Sequence, residues 1–459
     1  MSSPSNIPWR LGTIAGAAVG IYAILLGALL TPQIQRFALY ANKINTLWLG
    51  DDLNDPEAYG FAPNQVTPFN LRTADGEVLY AWHVLPLDVY TRNEKALRAE
   101  ERPHRPVEDF TKTSAFRLLT EDDTARVVVT FHGNAGHIAQ GWRTDTYRNL
   151  ALQANTHILT IDYRGFGHST GSPSEAGLVT DGTALIDYII RELGIPPSRM
   201  LILGQSLGTA VCSAVALHFA DPQNSLIAAE VRNLRPAQYK TPTAFAGVVL
   251  VAPFSSLPSL MLTYRIGGLL PILLPLRPFP WLATRLTSTM ADKWLSAERL
   301  EAYYHSLSNN TSLLSAVERN VKGVNRSMGS LQLVHSRRDM DIPYHQTETI
   351  CRRIFGEGAE PGVYEEKDDG GKGVKCIDGT HGATMLDVKA EGRPRVRFEI
   401  VEYGGEFLLY FSWNGSKFTV VKAWSKPILM LICSAGHNRI ITYSQVAAAI
   451  NRAFEDLFD

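Results

Sequence analysis

Six residues, Leu203-Gly204-Gln205-Ser206-Leu207-Gly208, contain a G-x-S-x-G stretch. An apolar run, Met200-Leu201-Ile202, precedes it, and Thr209 to Val215 behind it suits a helix. In a strand–turn–helix setting this pattern lifts the serine hydroxyl above the end of a sheet, where it can attack a carbonyl carbon. Glycine is expected at 204 and 208 because strand and helix pass too close there for a β-carbon. The Leu207 amide falls at the helix N-terminus, where an unpaired N–H and the positive end of the helix dipole can face an oxyanion. A Gly/Ser turn that merely links strand to helix would carry the same letters, so the rest of the chain has to decide.

An attacking serine needs a base, an acid that orients the base, and a second oxyanion donor. Phe131-His132-Gly133-Asn134-Ala135-Gly136 is a Gly-rich loop after an apolar run. The main-chain N–H of Asn134 is the candidate second donor, and a phosphate-binding loop or a plain turn is the alternative use. Such a donor contributes about 2.7–4 kcal/mol to a transition state in measured cases. His335 to Pro343 follows another apolar run and offers two acids, Asp339 and Asp341. In the chain order that goes with this serine turn the base follows the acid, which leaves His345, His381 and His437. His345 is too near Asp339 for a separate loop. His381 sits in a polar Gly-rich loop with no flanking helix. His437 directly precedes Ile440 to Phe458, where Val446, Ile450, Phe454 and Leu457 recur at helical spacing. His437 is therefore the expected base. Asp162 and Arg164, in the glycine-rich stretch Asp162 to Gly171, are expected to pair with each other or to hold loop backbone.

These residues need a scaffold, and the chain supplies one. Arg126 to Phe131, His157 to Asp162, Met200 to Leu203, Gly247 to Ala252 and Leu331 to Val334 read as short buried strands. Gly177 to Leu193 has helical periodicity and ends before Gly194-Ile195-Pro196-Pro197. Apolar strands separated by helices imply a parallel sheet covered on both faces, with ligands at the carboxyl ends of its strands. Upstream, Phe69 to Thr73 and Val78 to Val84 flank Asp75-Gly76 as a hairpin. Tyr90 to Asp123 is polar and charged and reads as a surface excursion.

The run HGNAGH, DYRGFGHSTGSPSE, GQSLGT, HSRRDMDIP and GHNRIITY resembles the α/β-hydrolase-domain serine hydrolases. The branch it is most similar to is the membrane-anchored monoacylglycerol and lysophospholipid lipases, with depalmitoylating thioesterases nearby. The likeness runs from about Phe69 to the C-terminus. It implies an α/β-hydrolase fold, a mostly parallel sheet with helices on both faces. By the resemblance Ser206 is the nucleophile, Asp339 the acid in preference to Asp341, and His437 the base. Leu207 and Asn134 match the oxyanion positions. The resemblance also implies one N-terminal anchor helix and the endoplasmic reticulum as location.

The sequence departs from the family before His437. Glu402-Tyr403-Gly404-Gly405 would normally run almost straight into His437-Asn438, yet residues 406–436 intervene. That Trp- and Phe-rich stretch is expected to be either an unspliced intron translated in frame or a family-specific insertion. As an insertion it would sit beside the base and could displace it, leaving a catalytically impaired binding protein.

The expected organisation is a tail (1–10), a transmembrane anchor (11–30), a juxtamembrane segment (31–65) and a hydrolase domain (66–459) with a cap region at 255–326. Leu11 to Leu30 carries no charge, and twenty helical residues span about 30 Å, the thickness of a bilayer core. A cleaved signal peptide is the rival, with a shorter apolar core. In the cap, Leu269 to Leu276 is apolar, broken by Pro271 and Pro275, and too short to span a bilayer. It suits an acyl-chain pocket or a membrane surface. Net charge is −1 and the sequence pI is about 6.9, which removes the electrostatic case for a nucleic-acid binder. The four cysteines lack metal-type spacing, though two could pair in an oxidising lumen. Asn309, Asn310, Asn325 and Asn414 stand in N-x-S/T settings, relevant only to a lumenal domain. The expected function is a single-pass, membrane-anchored serine esterase acting on a lipid with one long acyl chain, without metal or organic cofactor. A protein-depalmitoylating thioesterase is the alternative.

Overall fold

The computed structural model describes residues 7–236, 238, 240–266, 270–271, 273–310, 328–356, 363–365, 384–389, 393–402, 411–414, 417–420 and 440–455. Two helices come first, α1 (Ile7–Ala28) and α2 (Pro32–Tyr40). The hairpin is β1 (Val66–Arg72) and β2 (Val78–Val84), with Gly76 at φ 96° in its turn. Helices α3 (Leu87–Ala99) and α4 (Ser114–Thr120) lead into the alternating part. That part runs β3 (Arg126–Phe131), α5 (Arg143–Leu150), β4 (Thr156–Ile161), α6 (Glu175–Arg191), β5 (Met200–Gln205), α7 (Leu207–Ala220), α8 (Ala229–Leu234) and β6 (Gly247–Val251).

The stretch expected to form a cap follows, with α9 (Leu257–Thr263), the two-residue strands β7 (Arg265–Ile266) and β8 (Leu270–Pro271), α10 (Pro280–Ser288) and α11 (Ser296–Asn309). The chain then returns to the sheet as β9 (Ser330–Ser336), α12 (His345–Phe355), β10 (Val363–Glu365), β11 (Thr384–Lys389) and β12 (Val396–Val401). A separate hairpin, β13 (Phe411–Asn414) and β14 (Lys417–Val420), and α13 (Ser444–Glu455) close the described chain.

Among the described residues the main sheet has ten strands in the order β1-β2-β4-β3-β5-β6-β9-β12-β11-β10. From β4 to β12 all neighbours are parallel, β2 runs antiparallel to both its partners, and β11 is antiparallel to β12 but parallel to β10. β4, β5, β6 and β9 are buried along their whole length, as strands covered on both faces must be. Helix α7 is buried at every position, which its sequence allows because it carries no Lys, Arg, Asp or Glu. The register aligns the strand ends: Gln205 lies opposite Val251, Val251 opposite Val334, and Ser336 opposite Val401. The segments after β3, β5 and β9 therefore emerge along one carboxyl edge of the sheet.

One expectation needs correction. Tyr90 to Asp123 is not a mere surface excursion, since α3 and α4 occupy much of it and Tyr90, Leu97 and Phe110 are buried. Phe110 stacks on Phe69 of β1 with centroids 4.8 Å apart. Its charges misled because they sit outside as i,i+4 pairs, Arg92 with Asp88 and Arg98 with Glu94. At the N-terminus, no single helix among the described residues is long and apolar enough to cross a membrane. Gly12–Ala28 and Pro32–Tyr40 pass that test only together, as a pair bent by 99°. In the cap, Leu273, Leu276 and Ala283 cluster with Tyr22 and Leu26 of α1. Most of the 406–436 stretch lies outside the described residues, as do His381, Asn325 and the cap residues 311–327. The β13–β14 hairpin within it is not paired to the main sheet. Cys351 is disulfide-bonded, and Cys212 is free and buried.

The core also holds ionisable groups that make stability depend on pH. Burial pushes His83 and His132 well below the usual histidine range, His157 to about 3, and His137 and His218 to about 4. These groups take up protons on unfolding, so they favour the fold above about pH 6.5 and lose that contribution as pH falls toward 4. Burial raises Asp162 to about 7 and Asp181 to about 6, which acts in the opposite direction. The histidines outnumber the two aspartates. The urea midpoint should therefore fall steadily between pH 7 and pH 5; a midpoint that rises over that range would contradict the neutral buried histidines.

Candidate active site

The β5–α7 connection is a turn without slack. The Ser206 amide still donates to the Val251 carbonyl of β6 at 3.0 Å, and the backbone then reverses at φ 52°, ψ −119°. A non-glycine residue holds such angles only when its surroundings impose them. The neighbours do so here. A β-carbon on Gly204 would meet the Gly208 carbonyl and, at 2.6 Å, the Cys212 sulfur. One on Gly208 would overlap the Phe131 carbonyl at the end of β3 and lie 2.9 Å from the His132 oxygen. The two glycines thus let α7 start directly against two strand ends, and the half-buried Ser206 is presented at the carboxyl edge.

Beside it runs the loop after β3. An ideal β-carbon on Gly133 would be 3.5 Å from the Ser206 Cβ and 4.0 Å from its Oγ, so the loop backbone lies against the serine. Its carbonyls are held by one side chain. The Arg143 guanidinium at the start of α5 donates to the carbonyls of Gly133 (3.1 Å), Asn134 (3.0 Å), Ala135 (2.9 Å) and His137 (2.6 Å). The amides of Ala135 and Gly136 donate to Tyr40 (2.8 Å) and Ile44 (2.9 Å). No acceptor among the described residues takes the Asn134 or Leu207 amide. For Leu207 this is the ordinary condition of a first helical residue. Nothing in the sequence flagged Arg143, Tyr40 or Ile44, because their partners are main-chain atoms, six to ten residues away for Arg143 and far more for the other two.

Across the edge, β9 ends two strands from β5, roughly 10 Å at the usual strand spacing. Asp339 follows it on a tight loop, its carboxylate buried. Its Oδ1 accepts from the amides of Asp341 (3.0 Å) and Ile342 (2.9 Å), while Oδ2 lies 3.6 Å from His335 Nε2. His335 is turned elsewhere, toward the Ile342 carbonyl (2.9 Å) and the Thr347 hydroxyl (2.6 Å). Asp341, the other candidate acid, is buried on the same loop. His345 is at the start of α12 with its Nδ1 2.8 Å from Glu348. His437 lies outside the described residues. The chain on its far side is placed: Ile440 is buried, and Asn149 of α5 donates to the Thr442 carbonyl at 3.3 Å.

Asp162 and Arg164 do not pair with each other, contrary to one of the two expected uses. Arg164 instead bonds Asp75 of the hairpin at 2.7 and 3.1 Å and Asp181 of α6 at 2.9 Å. Asp162 Oδ1 accepts the Ile138 amide at 2.7 Å and lies 3.6 Å from His132 Nε2. Asp162 therefore braces loop backbone, the other expected use, while Arg164 pairs with acids on the hairpin and on α6. Among the described residues no group of His, Cys, Asp and Glu side chains could hold a metal ion.

Residues 127–386 match the alpha/beta hydrolase family. The chain is 30% identical over 226 residues to the lysophosphatidylserine lipase ABHD12 of Danio rerio, which covers 48% of this chain and 53% of that one. It is 33% identical over 165 residues to protein ABHD12B of Homo sapiens, covering 36% and 40% of the two chains. The chain spans about half the length of the curated relatives it matches. Among solved structures, the Pyrococcus furiosus esterase Pf2001 aligns over 65% of this chain and 79% of that one, with 12% identity and a TM-score of 0.36.

Proposed function

The chain belongs to the alpha/beta hydrolase family, and from that premise we propose that it is a membrane-anchored serine hydrolase that cleaves acyl esters of lipids. The observation that carries this reading is Ser206 at φ 52°, ψ −119° between two glycines that admit no β-carbon. Strain of this kind at a hydroxyl on the carboxyl edge of a parallel sheet is what a nucleophile requires.

In this reading His437 takes the Ser206 proton as the oxygen attacks the acyl carbonyl. Asp339, already oriented by two loop amides, holds the imidazole in the correct tautomer and stabilises its cation. The Leu207 and Asn134 amides receive the oxyanion; the loop's other polar groups are committed to Arg143 and to residues 40–44. Protonation of the leaving alcohol frees it, and water then resolves the acyl-enzyme by the same steps in reverse. The base contributes about 10²- to 10⁴-fold. The lipid substrate is supported by the lipase name of the relatives, by the apolar cap cluster packed on α1, and by the bent apolar pair at the N-terminus, which we read as the single-pass anchor of an endoplasmic-reticulum protein.

The test is a fluorophosphonate probe and a substrate panel, applied to the full chain and to the same chain lacking 406–436. We expect covalent labelling at Ser206 and turnover of monoacylglycerol or lysophospholipid in preference to S-acyl peptides. Labelling at another residue, or faster thioester than ester cleavage, would refute the assignment as written.

A further inference from the structure

The segment that follows α1 is built into the loop that faces Ser206. Tyr40, the last residue of α2, is fully buried and bonds in two directions. Its carbonyl accepts the Ala135 amide at 2.8 Å, and its hydroxyl donates to Asp292 Oδ2 in the cap at 2.8 Å. Arg36, one turn earlier, grips the same carboxylate with Nε and Nη2, both at 3.0 Å. Gln35 adds a third tie, accepting the Ala291 amide at 2.8 Å. Beyond Tyr40 the chain turns at Ala41, φ 47°, and the Ile44 carbonyl accepts the Gly136 amide at 2.9 Å. Asn42 donates to Gly165 at 2.6 Å in the loop braced by Asp162, and Asn134 Nδ2 donates back to Leu39 at 3.3 Å.

Two consecutive loop amides are thus aimed by carbonyls that belong to no strand of the sheet. A peptide plane is rigid, so fixing the 135 and 136 N–H directions also restricts the peptide before them, which carries the Asn134 amide. Remove the two carbonyls and the 135 and 136 amides lose their acceptors, leaving Arg143 on the carbonyls of residues 133–135. The Asp292 carboxylate is 5% exposed, so its two partners cannot be replaced by water without opening the cap.

We propose that α2 and residues 41–44 are a positioning element of the catalytic centre, clamped by Asp292, through which the N-terminal helix and the cap control the oxyanion loop. This rests on the reading of the Ser206 site given above. Arg36, Tyr40 and Asp292 touch no substrate; they act through Ala135 and Gly136.

The experiment compares full-length wild type with Arg36→Ala, Arg36→Lys and Asp292→Asn, by amide hydrogen exchange and by steady-state hydrolysis of p-nitrophenyl butyrate. Arg36 is substantially exposed, so its alanine variant reports even where Asp292→Asn fails to fold. Exchange at Ala135 and Gly136 should rise about tenfold or more in Arg36→Ala, as expected for local opening, while the β5 and β6 amides stay protected. In parallel kcat should fall about tenfold or more, KM should stay within about twofold, and Arg36→Lys should recover most of the loss, as for a displaced oxyanion donor. Unchanged exchange at 135 and 136, or raised exchange with unchanged kcat, overturns the proposal. If wild type itself fails to turn over the ester, the hydrolase reading falls, and the exchange measurement still decides whether the clamp orders the loop.

Discussion

Ser206→Ala in the full-length chain is expected to lower kcat for a long-chain acyl ester by about 10⁴- to 10⁶-fold, the range seen when a nucleophile that works with a base is deleted. Fluorophosphonate labelling should vanish. The fold should be indifferent, because alanine keeps the β-carbon and the φ of 52°, and the site is only half-buried. A stability change within about 0.5 kcal/mol fits such a substitution. Chemical-denaturation curves and probe labelling on the same sample check both halves. Labelling that survives, or a large loss of stability, would show that Ser206 is a structural turn residue.

Gly208→Ala is the prediction with the next largest effect, and it separates crowding from backbone conformation. Gly208 lies inside helix α7 with no positive φ, where alanine is ordinarily the better residue by about 1 kcal/mol. Its β-carbon would nevertheless overlap the Phe131 carbonyl at the end of β3, a main-chain atom in the middle of the sheet. Neither can yield alone, so α7 must move away from β3 and carry the Leu207 amide with it. Overpacking of this kind costs about 1–3 kcal/mol, and displacement of a catalytic group by about 1 Å costs about 10²-fold in rate. Gly194→Ala is the control: φ is 67° but nothing lies within 4 Å of the added carbon, so it should show a stability cost and no loss of kcat. Wild-type kcat in Gly208→Ala would mean that the turn tolerates a wider approach than the structure has.

The fold was legible because its signals are local. Arg126 to Phe131 is a run that only a strand buried on both faces can use, and β3 spans those residues. Asp75-Gly76 set the hairpin and its turn, and Gly204 and Gly208 announced the close approach later found in space. Tyr90 to Asp123 was misjudged for the opposite reason. Its charges dominate the composition, while its burial depends on Phe69 and Phe110 meeting across forty residues.

By itself, then, the sequence determined the strand order's raw material, the strained serine turn, the loop that carries Asp339 and the family pattern, because each rests on neighbours along the chain. Tertiary structure alone decided what aims the chemistry. Arg143 holding three successive carbonyls, Tyr40 and Ile44 receiving the next amides, and Arg164 choosing Asp75 and Asp181 over Asp162 are all contacts between residues that are not neighbours along the chain. Most of these contacts end on main-chain atoms, which every residue possesses, so no pattern of side-chain letters can encode them; only the packing of the sheet, the cap and the N-terminal segment brings those atoms within reach.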